Sequence, residues 1–211
     1  MISLNIFTNC TRQADSTEKI INTHKSFCDT FGEMPAVVYM DKNPCFQYAE
    51  SYKKNLLKYF DTVIDTNSLS HGYIKSVIRA KTEFIFQLEH DWIFNNNISH
   101  SLEMIVDAMK KYKLYHLRFN KRENIVSTWD KKMIEKGDEL FKYCITNNLS
   151  NNPHIINKRK YVDLVKRKII KKSTGSLGIE HELLKHPDLE DAIYGPAGNP
   201  ATVTHTDGRV K

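Results

Sequence analysis

Apolar and polar positions follow two different spacings in the first 120 residues. Alternating apolar and polar residues at 2–7 predict a strand, and short β-favouring segments at 36–41, 62–65, 84–88 and 115–119 predict further strands. Between these runs, apolar residues recur three and four positions apart, as in 20–31, which predicts amphipathic helices. Strands at about thirty-residue intervals with helices between them are typical of βαβ units and a mainly parallel sheet. We therefore expect an α/β fold with a central sheet flanked by helices.

The second half of the chain has a less regular pattern. Residues 121–140 are mostly polar and predict a loop, whereas 141–146 and 201–205 predict strands. A basic amphipathic helix is expected at 161–170, and a short acidic helix at 180–185 follows a small-residue segment. This half is therefore the less predictable part of the fold.

Composition narrows the class of protein. The chain has 211 residues, 40% of them hydrophobic and 27% charged, which is typical of one soluble globular domain. No segment approaches the roughly 18–20 apolar residues of a membrane helix, and the N-terminus lacks the regions of a signal peptide. Four cysteines without a C-x-x-C pair exclude a zinc ribbon and a thioredoxin motif. We expect a reduced, intracellular, cytoplasmic protein with no transmembrane segment.

The formal net charge of +6 raises the alternative of a nucleic-acid-binding basic domain. The cations cluster at 158–172, where Tyr161 is the one aromatic residue, whereas nucleic-acid modules interleave cations with exposed aromatic rings. A solvated helix face is therefore favoured, and no stable nucleic-acid binding is expected. The charge does indicate a surface that would not repel a phosphate-bearing ligand.

Two carboxylates directly follow the apolar run 84–88, in the order Glu89, His90, Asp91. Residues i and i+2 of an extended chain point the same way, so both acids could face one ligand. Carboxylates and phosphate oxygens together form a shell suited to Mg²⁺ or Mn²⁺, which would help a pyrophosphate to leave. Ligands of such sheets bind outside the carboxyl ends of the strands. The pattern predicts a metal-dependent diphosphate site, with an ordinary acidic turn as the structural alternative.

The stretch 68–92 is similar to the core of GT-A fold glycosyltransferases of the family 2 type, in which a helix leads into a strand ending in a metal-binding DxD motif. The residues that carry the likeness are Ser70, Gly72, Ala80, Glu83-Phe84-Ile85 and Glu89-His90-Asp91. Further matches are 2–12, 37–41, Asn-Pro-His-Ile-Ile at 152–156, Gly-Ile-Glu-His-Glu at 178–182, and His205 ahead of Gly208, so the likeness spans nearly the whole chain. The first acid of the motif is Glu89 rather than Asp, which makes Asp91 the safer metal ligand.

The resemblance implies a single GT-A-like domain over 1–211, which could be one domain of a longer polypeptide. Its Rossmann-like nucleotide-binding half would be about 1–120 and its acceptor and catalytic half about 121–211. The implied activity is metal-dependent transfer of a sugar from a nucleoside-diphosphate sugar, with UDP favoured, to a hydroxyl of a glycan or glycoconjugate acceptor with inversion. The cofactor would be Mn²⁺ or Mg²⁺. A sugar nucleotidyltransferase is an alternative, disfavoured because residues 8–12 contain no glycine.

The resemblance also implies roles for individual residues. Nucleotide-sugar contacts are expected from Thr8, Asn9, Thr11, Arg12, Asp41, Lys75, Arg79, Glu89, His90 and His154. Metal ligands are expected at Asp91, His205 and Glu89, and the general base at Glu180 or Glu182, with Glu180 preferred because it follows the small-residue segment. Trp129, isolated in a polar stretch, is a candidate platform for an acceptor sugar.

Overall fold

Helices and strands alternate along the chain, as a computed structural model shows. It describes residues 2–9, 13–42, 46–147, 149–166 and 191–206. The strands in this part of the chain are β1 (Ile2–Asn9), β2 (Ala36–Asp41), β3 (Thr62–Thr66), β4 (Phe84–Glu89), β5 (Trp92–Phe94), β6 (His116–Arg118), β7 (Ile134–Gly137), β8 (Lys142–Thr146), β9 (His154–Asn157), β10 (Asp191–Tyr194) and β11 (Val203–His205). The helices are α1 (Gln13–Phe31), α2 (Ala49–Leu56), α3 (Leu69–Arg79), α4 (Leu102–Lys111) and α5 (Lys158–Lys166).

Nine of the strands form one sheet in the order β3-β2-β1-β4-β9-β6-β10-β8-β7, and β11 pairs with β5 in a second, two-stranded sheet. In the large sheet β8 and β9 run against the other seven strands. The mostly parallel α/β architecture that the sequence predicts is therefore confirmed. Strands β1, β2, β3, β4, β6 and β10 all end at the same side of the sheet, which we call the carboxyl edge.

Both faces of the large sheet are covered, which explains why most residues of its central strands β1 and β4 are buried. On β1, Ile6 faces one cluster of buried residues that includes Phe27 of α1 and Leu56 of α2. The neighbouring Phe7 faces the opposite cluster, with Val77 of α3. Among the described residues, no helix is long and apolar enough to cross a membrane.

The second half departs most from the expected elements. Strands β8 and β11 confirm the predictions at 141–146 and 201–205, and α5 begins three residues before the expected 161. The expected loop at 121–140 contains strand β7, and β5, β9 and β10 have no counterpart in the predicted elements. These strands are three or four residues long, so their pairing partners rather than a local pattern determine them. The expected helix at 180–185 lies outside the described residues.

Candidate active site

The ends of β1, β2 and β4 place three predicted site residues in one row. Asn9 lies beside Asp41, and Phe7 lies beside Glu89, in parallel register. Neighbours in register on parallel strands project from the same face, and Asn9 is two residues after Phe7. The side chains of Asn9, Asp41 and Glu89 are all half-buried. The carboxyl edge therefore carries an amide and two carboxylates on the face that packs against α3.

Thr8 is the exception among the predicted nucleotide contacts on β1. Its side chain projects from the opposite face and is buried, and its Oγ1 lies 2.7 Å from the hydroxyl of Tyr52 on α2. The alternation of a strand thus directs Thr8 into the core and leaves Asn9 at the edge. Thr11 and Arg12, the other predicted contacts of this segment, lie outside the described residues.

Helix α3 separates the two cations that the sequence placed together. The helix begins beside the carboxyl edge, where the Ser68 hydroxyl accepts a hydrogen bond from the backbone N–H of His71 at 3.1 Å. Lys75 donates from Nζ to the backbone carbonyl of Asp65 on β3 at 3.0 Å. Arg79 is ten residues after Leu69, about 15 Å along the helix, where the chain returns to the start of β4. The structure therefore leaves Lys75 near the carboxyl edge and does not bring Arg79 to it.

His90 forms the turn between Glu89 and Asp91. Its backbone N–H donates to the carbonyl of Phe7 at 3.0 Å, and its carbonyl accepts from the Thr23 hydroxyl of α1 at 2.8 Å. These two bonds hold the turn against β1 and α1. Glu89 and Asp91 are thereby fixed on either side of a restrained residue.

Asp91 and His205 meet at the end of β4, although they are far apart in sequence. Strand β11 pairs antiparallel with β5, which sets His205 opposite Trp92, and the two rings are 4.6 Å apart between centroids. His205 Nε2 lies 3.0 Å from Asp91 Oδ2. The Asp91 carbonyl accepts from both the backbone N–H and the hydroxyl of Thr206, at 2.8 and 3.0 Å. The pairing of β11 with β5 therefore positions the His205 imidazole beside Asp91.

The donor atoms of this pair fit a divalent cation. Asp91 is only 6% exposed, and its Oδ1 is buried without a hydrogen-bond partner in the described part of the chain. The 3.0 Å between Oδ2 and Nε2 is the distance of a direct hydrogen bond between the two side chains, and it also equals the separation of two ligands at right angles that are each about 2.1 Å from a cation. Carboxylate oxygen and imidazole nitrogen together suit Mn²⁺. Among the described residues no group of three His, Cys, Asp or Glu side chains converges, so Glu89 does not join the pair.

His154 lies inside the sheet rather than at its edge. The ring is buried, its Nδ1–H donates to the Asn152 carbonyl at 2.7 Å, and it stacks on His116 with centroids 4.5 Å apart. Burial, reinforced by the neighbouring His116, holds the pKa of His154 well below its ordinary value. The imidazole is therefore neutral and packed under α3 and α5, away from the exposed rim where a sugar hydroxyl could reach it.

The sequence did not predict a buried ionic cluster that joins β6, β10 and the loop after β6. Arg118 donates from Nε to Asp191 at 2.6 Å, from one terminal nitrogen to Asn120 at 3.1 Å and from the other to Asp130. His116 bonds the second oxygen of Asp191. We call these five residues the Arg118 network. Its signal in the sequence is an arginine inside the apolar run 115–119, but the partner acids carry no local mark.

The two candidates for the general base, Glu180 and Glu182, lie outside the described residues. Their role stays a prediction. Asp191, which follows that segment in the sequence, is described and belongs to the Arg118 network.

Comparison with solved structures defines the fold. Residues 1–349 of TarS from S. aureus, a GT-A glycosyltransferase, superpose with a TM-score of 0.56 at 13% identity, covering 97% of this chain and 60% of TarS. A complex of TarS with UDP-GlcNAc gives 0.53 at 14% identity, covering 99% and 62%. CMP-2-keto-3-deoxy-manno-octonic acid synthetase with CTP gives 0.56 at 7% identity, covering 95% and 92%.

These similarities show that the chain has a GT-A-like fold, as the sequence resemblance implies. The chain spans about 60% of the length of the TarS structure. No protein-family model and no curated protein sequence matches the chain.

Proposed function

We propose that the protein is a metal-dependent glycosyltransferase that moves a sugar from a nucleoside-diphosphate sugar, with UDP favoured, to a hydroxyl of a glycan or glycoconjugate. The observation that carries this proposal is the Asp91–His205 pair at the end of β4, with one carboxylate oxygen buried and unpaired. A buried polar atom without a partner costs free energy, and a bound cation would satisfy it.

The nucleotide would lie across the carboxyl ends of β1 and β2. Asp41 is a half-buried carboxylate at the edge and lies beside Asn9, so it can accept a hydrogen bond from the imide N–H of uracil. The amide of Asn9 can donate to a base or ribose oxygen. On the TarS fold, crystals contain UDP and UDP-GlcNAc, which supports a nucleotide-sugar donor for this chain as well.

Asp91 and His205 would hold Mn²⁺ or Mg²⁺, which when bound supplies positive charge to the diphosphate leaving group. The chain's own contribution is to fix those donors. Thr206 holds the Asp91 backbone, and the Trp92 ring packs on the His205 ring. Glu89, which is directed to the α3 face, would bind a hydroxyl of ribose or sugar. The acceptor hydroxyl would lose its proton to Glu180 or Glu182.

Release of UDP from a panel of UDP-sugars tests the proposal, with Mn²⁺ or EDTA and a mixed glycan acceptor pool. We expect Mn²⁺-dependent release that Asp91→Asn lowers at least a hundredfold. Asp107→Asn is the matched control, because Asp107 is exposed on α4 and pairs with Lys110. If UDP release is as fast in EDTA as in Mn²⁺, or as fast in Asp91→Asn as in the unmodified chain, the proposal of a metal-dependent reaction is wrong.

Nucleotidyl transfer is the second candidate, favoured by one specific observation. CMP-2-keto-3-deoxy-manno-octonic acid synthetase matches this chain over 92% of its own length, whereas TarS is covered over 60%. Against it, residues 8–12 contain no glycine to cradle a triphosphate. Incubation with CTP or UTP and a sugar or sugar 1-phosphate distinguishes nucleotidyl transfer from glycosyl transfer. Pyrophosphate release would identify a nucleotidyltransferase, and UDP release from a UDP-sugar a glycosyltransferase.

A further inference from the structure

In the loop between β6 and β7, polar side chains are buried and large apolar side chains are exposed. We call residues 121–132 the β6–β7 loop. Its polar members Asn124 and Asp130 are buried. Asn124 donates from Nδ2 to the carbonyl of Tyr194 at 2.9 Å, and Asp130 accepts from Arg118 and from the Thr146 hydroxyl. These contacts attach the loop to β6, β8 and β10 through its polar side chains.

The apolar side chains of the same loop point to solvent. Ile125 is 50% exposed, Val126 64% and Trp129 55%. The Ser127 hydroxyl accepts from the backbone N–H groups of Trp129 and Asp130, and the Ser127 N–H donates to the Asp130 carbonyl at 3.0 Å. The tip is therefore held in a defined turn that keeps these apolar groups outside. Three large apolar side chains exposed within five residues of one turn form a candidate interaction site.

Cations flank the apolar tip on both sides. Lys121 and Arg122 precede it, Lys131 and Lys132 follow it, and all four are exposed. The Arg122 guanidinium lies 5.5 Å from the centroid of the Trp129 ring. Glu123 is the one exposed acid between residues 121 and 132, because Asp130 is buried against Arg118. The exposed face of the loop thus carries a net positive charge around an apolar centre.

We propose that the β6–β7 loop docks the protein on an anionic lipid bilayer, with Val126 and Trp129 in the interfacial region and the flanking cations at the lipid phosphates. Tryptophan is favoured at membrane interfaces, and each nearby cation adds attraction to an anionic surface. A sugar stacked on the Trp129 ring would not account for the exposure of Ile125 and Val126, whereas a bilayer would cover all three side chains. This inference does not depend on the proposed transferase activity.

Intrinsic fluorescence of the full chain tests the docking directly. The sequence has two tryptophans, and Lys121 Nζ lies 5.8 Å from the centroid of the buried Trp92 ring, so the part of a change on vesicle addition that Trp129→Ser removes reports Trp129. We expect a blue shift, co-sedimentation, and quenching by brominated lipids with vesicles of phosphatidylcholine and phosphatidylglycerol. We expect little binding to vesicles of phosphatidylcholine alone. Equal binding to both, or to neither, would overturn the proposal.

Variants separate the loop from the remaining surface. Val126→Ser with Trp129→Ser should lower vesicle binding at least tenfold, and Arg122→Gln with Lys131→Gln should lower it about fivefold per charge at low salt. Met104→Ser is the matched control, because Met104 is 50% exposed on α4, and it should bind as the unmodified chain does. Loss of binding in the control, or retention in the apolar double variant, contradicts the assignment.

A soluble acidic polysaccharide, dextran sulfate, provides the competing outcome. If it changes Trp129 fluorescence while anionic vesicles do not, the loop is a glycan platform and the bilayer proposal is wrong. If the apolar double variant fails to fold, lipid quenching of Trp129 in the unmodified chain decides between the two outcomes.

Discussion

Replacing Arg118 by methionine tests whether the Arg118 network is essential to the fold around the site. The arginine is 2% exposed and bonds two carboxylates, Asp130 and Asp191, that are themselves buried. Methionine has a similar length and is apolar, so the substitution removes the charge with little change in volume. It leaves two carboxylates buried without their cation.

The expected loss follows from this arrangement. Removing one partner of a buried ion pair costs about 3–5 kcal/mol, because the remaining charge stays desolvated. For a chain of 211 residues, each kcal/mol lowers Tm by about 2–4 °C, which predicts a fall of about 6–20 °C. Thermal unfolding followed by circular dichroism, with urea denaturation to obtain the free energy of unfolding, measures it.

Two companion variants make this result specific. Arg159→Met removes an exposed arginine of α5 and should change the free energy of unfolding by less than about 0.5 kcal/mol. Asp130→Asn and Asp191→Asn, added to Arg118→Met, should restore part of the loss because the buried acids become neutral. If Arg118→Met costs no more than Arg159→Met, the reasoning about the network is refuted.

Three further variants examine separate parts of the structure. Burial lowers the pKa of His154 in the folded state, so its contribution to the free energy of unfolding is complete above about pH 6.5 and falls by up to about 1.4 kcal/mol per pH unit below it. His154→Gln should therefore flatten the pH dependence of the free energy of unfolding, as measured by urea denaturation from pH 7.5 to 5. Gly137→Ala should cost at least about 2 kcal/mol more than Gly32→Ala, because both have positive φ but only at Gly137 would a Cβ meet a backbone atom, the Phe141 carbonyl; equal losses by urea denaturation would contradict this. Asp41→Asn should raise the Kd of UDP by calorimetry at least tenfold while leaving that of Mn²⁺ unchanged, and an unchanged Kd for UDP would remove Asp41 from the base site.

The first half of the fold could be predicted because its strands are covered on both faces. Strand β4 then begins with a run of apolar residues, β1 alternates apolar and polar residues over its first five positions, and the helices between the strands retain their 3.6-residue spacing. Strand β10, with four buried residues, has no such signal, since pairing with β6 and β8 determines it.

The candidate site could be predicted in part, and the limit has a physical cause. The strand end identified Glu89 and Asp91, but it did not predict that their side chains lie apart. The turn at His90 places Asp91 beside His205 and leaves Glu89 on the α3 face. The meeting of Asp91 and His205 depends on pairing between β5 and β11, which are distant in sequence. Strand alternation could have shown that Thr8 and Asn9 point to opposite faces.

The connection between parallel strands also explains the position of Arg79. A helix that follows β3 and precedes β4 must run from the carboxyl edge back to the opposite edge. A pair four residues apart can share a helix face and still differ by about 6 Å along the axis. This is why Lys75 reaches Asp65 at β3 while Arg79 lies toward the start of β4.

The most direct test of the Asp91–His205 site is the thermal stability of the protein with UDP-GlcNAc and other UDP-sugars, with and without Mn²⁺. A UDP-sugar at one hundred times its Kd should add about 2.7 kcal/mol of stability in the presence of Mn²⁺. Asp91→Asn should abolish this increment while leaving the unfolding transition of the free protein cooperative. An increment that needs no Mn²⁺, or that survives in Asp91→Asn, would contradict the proposed metal site.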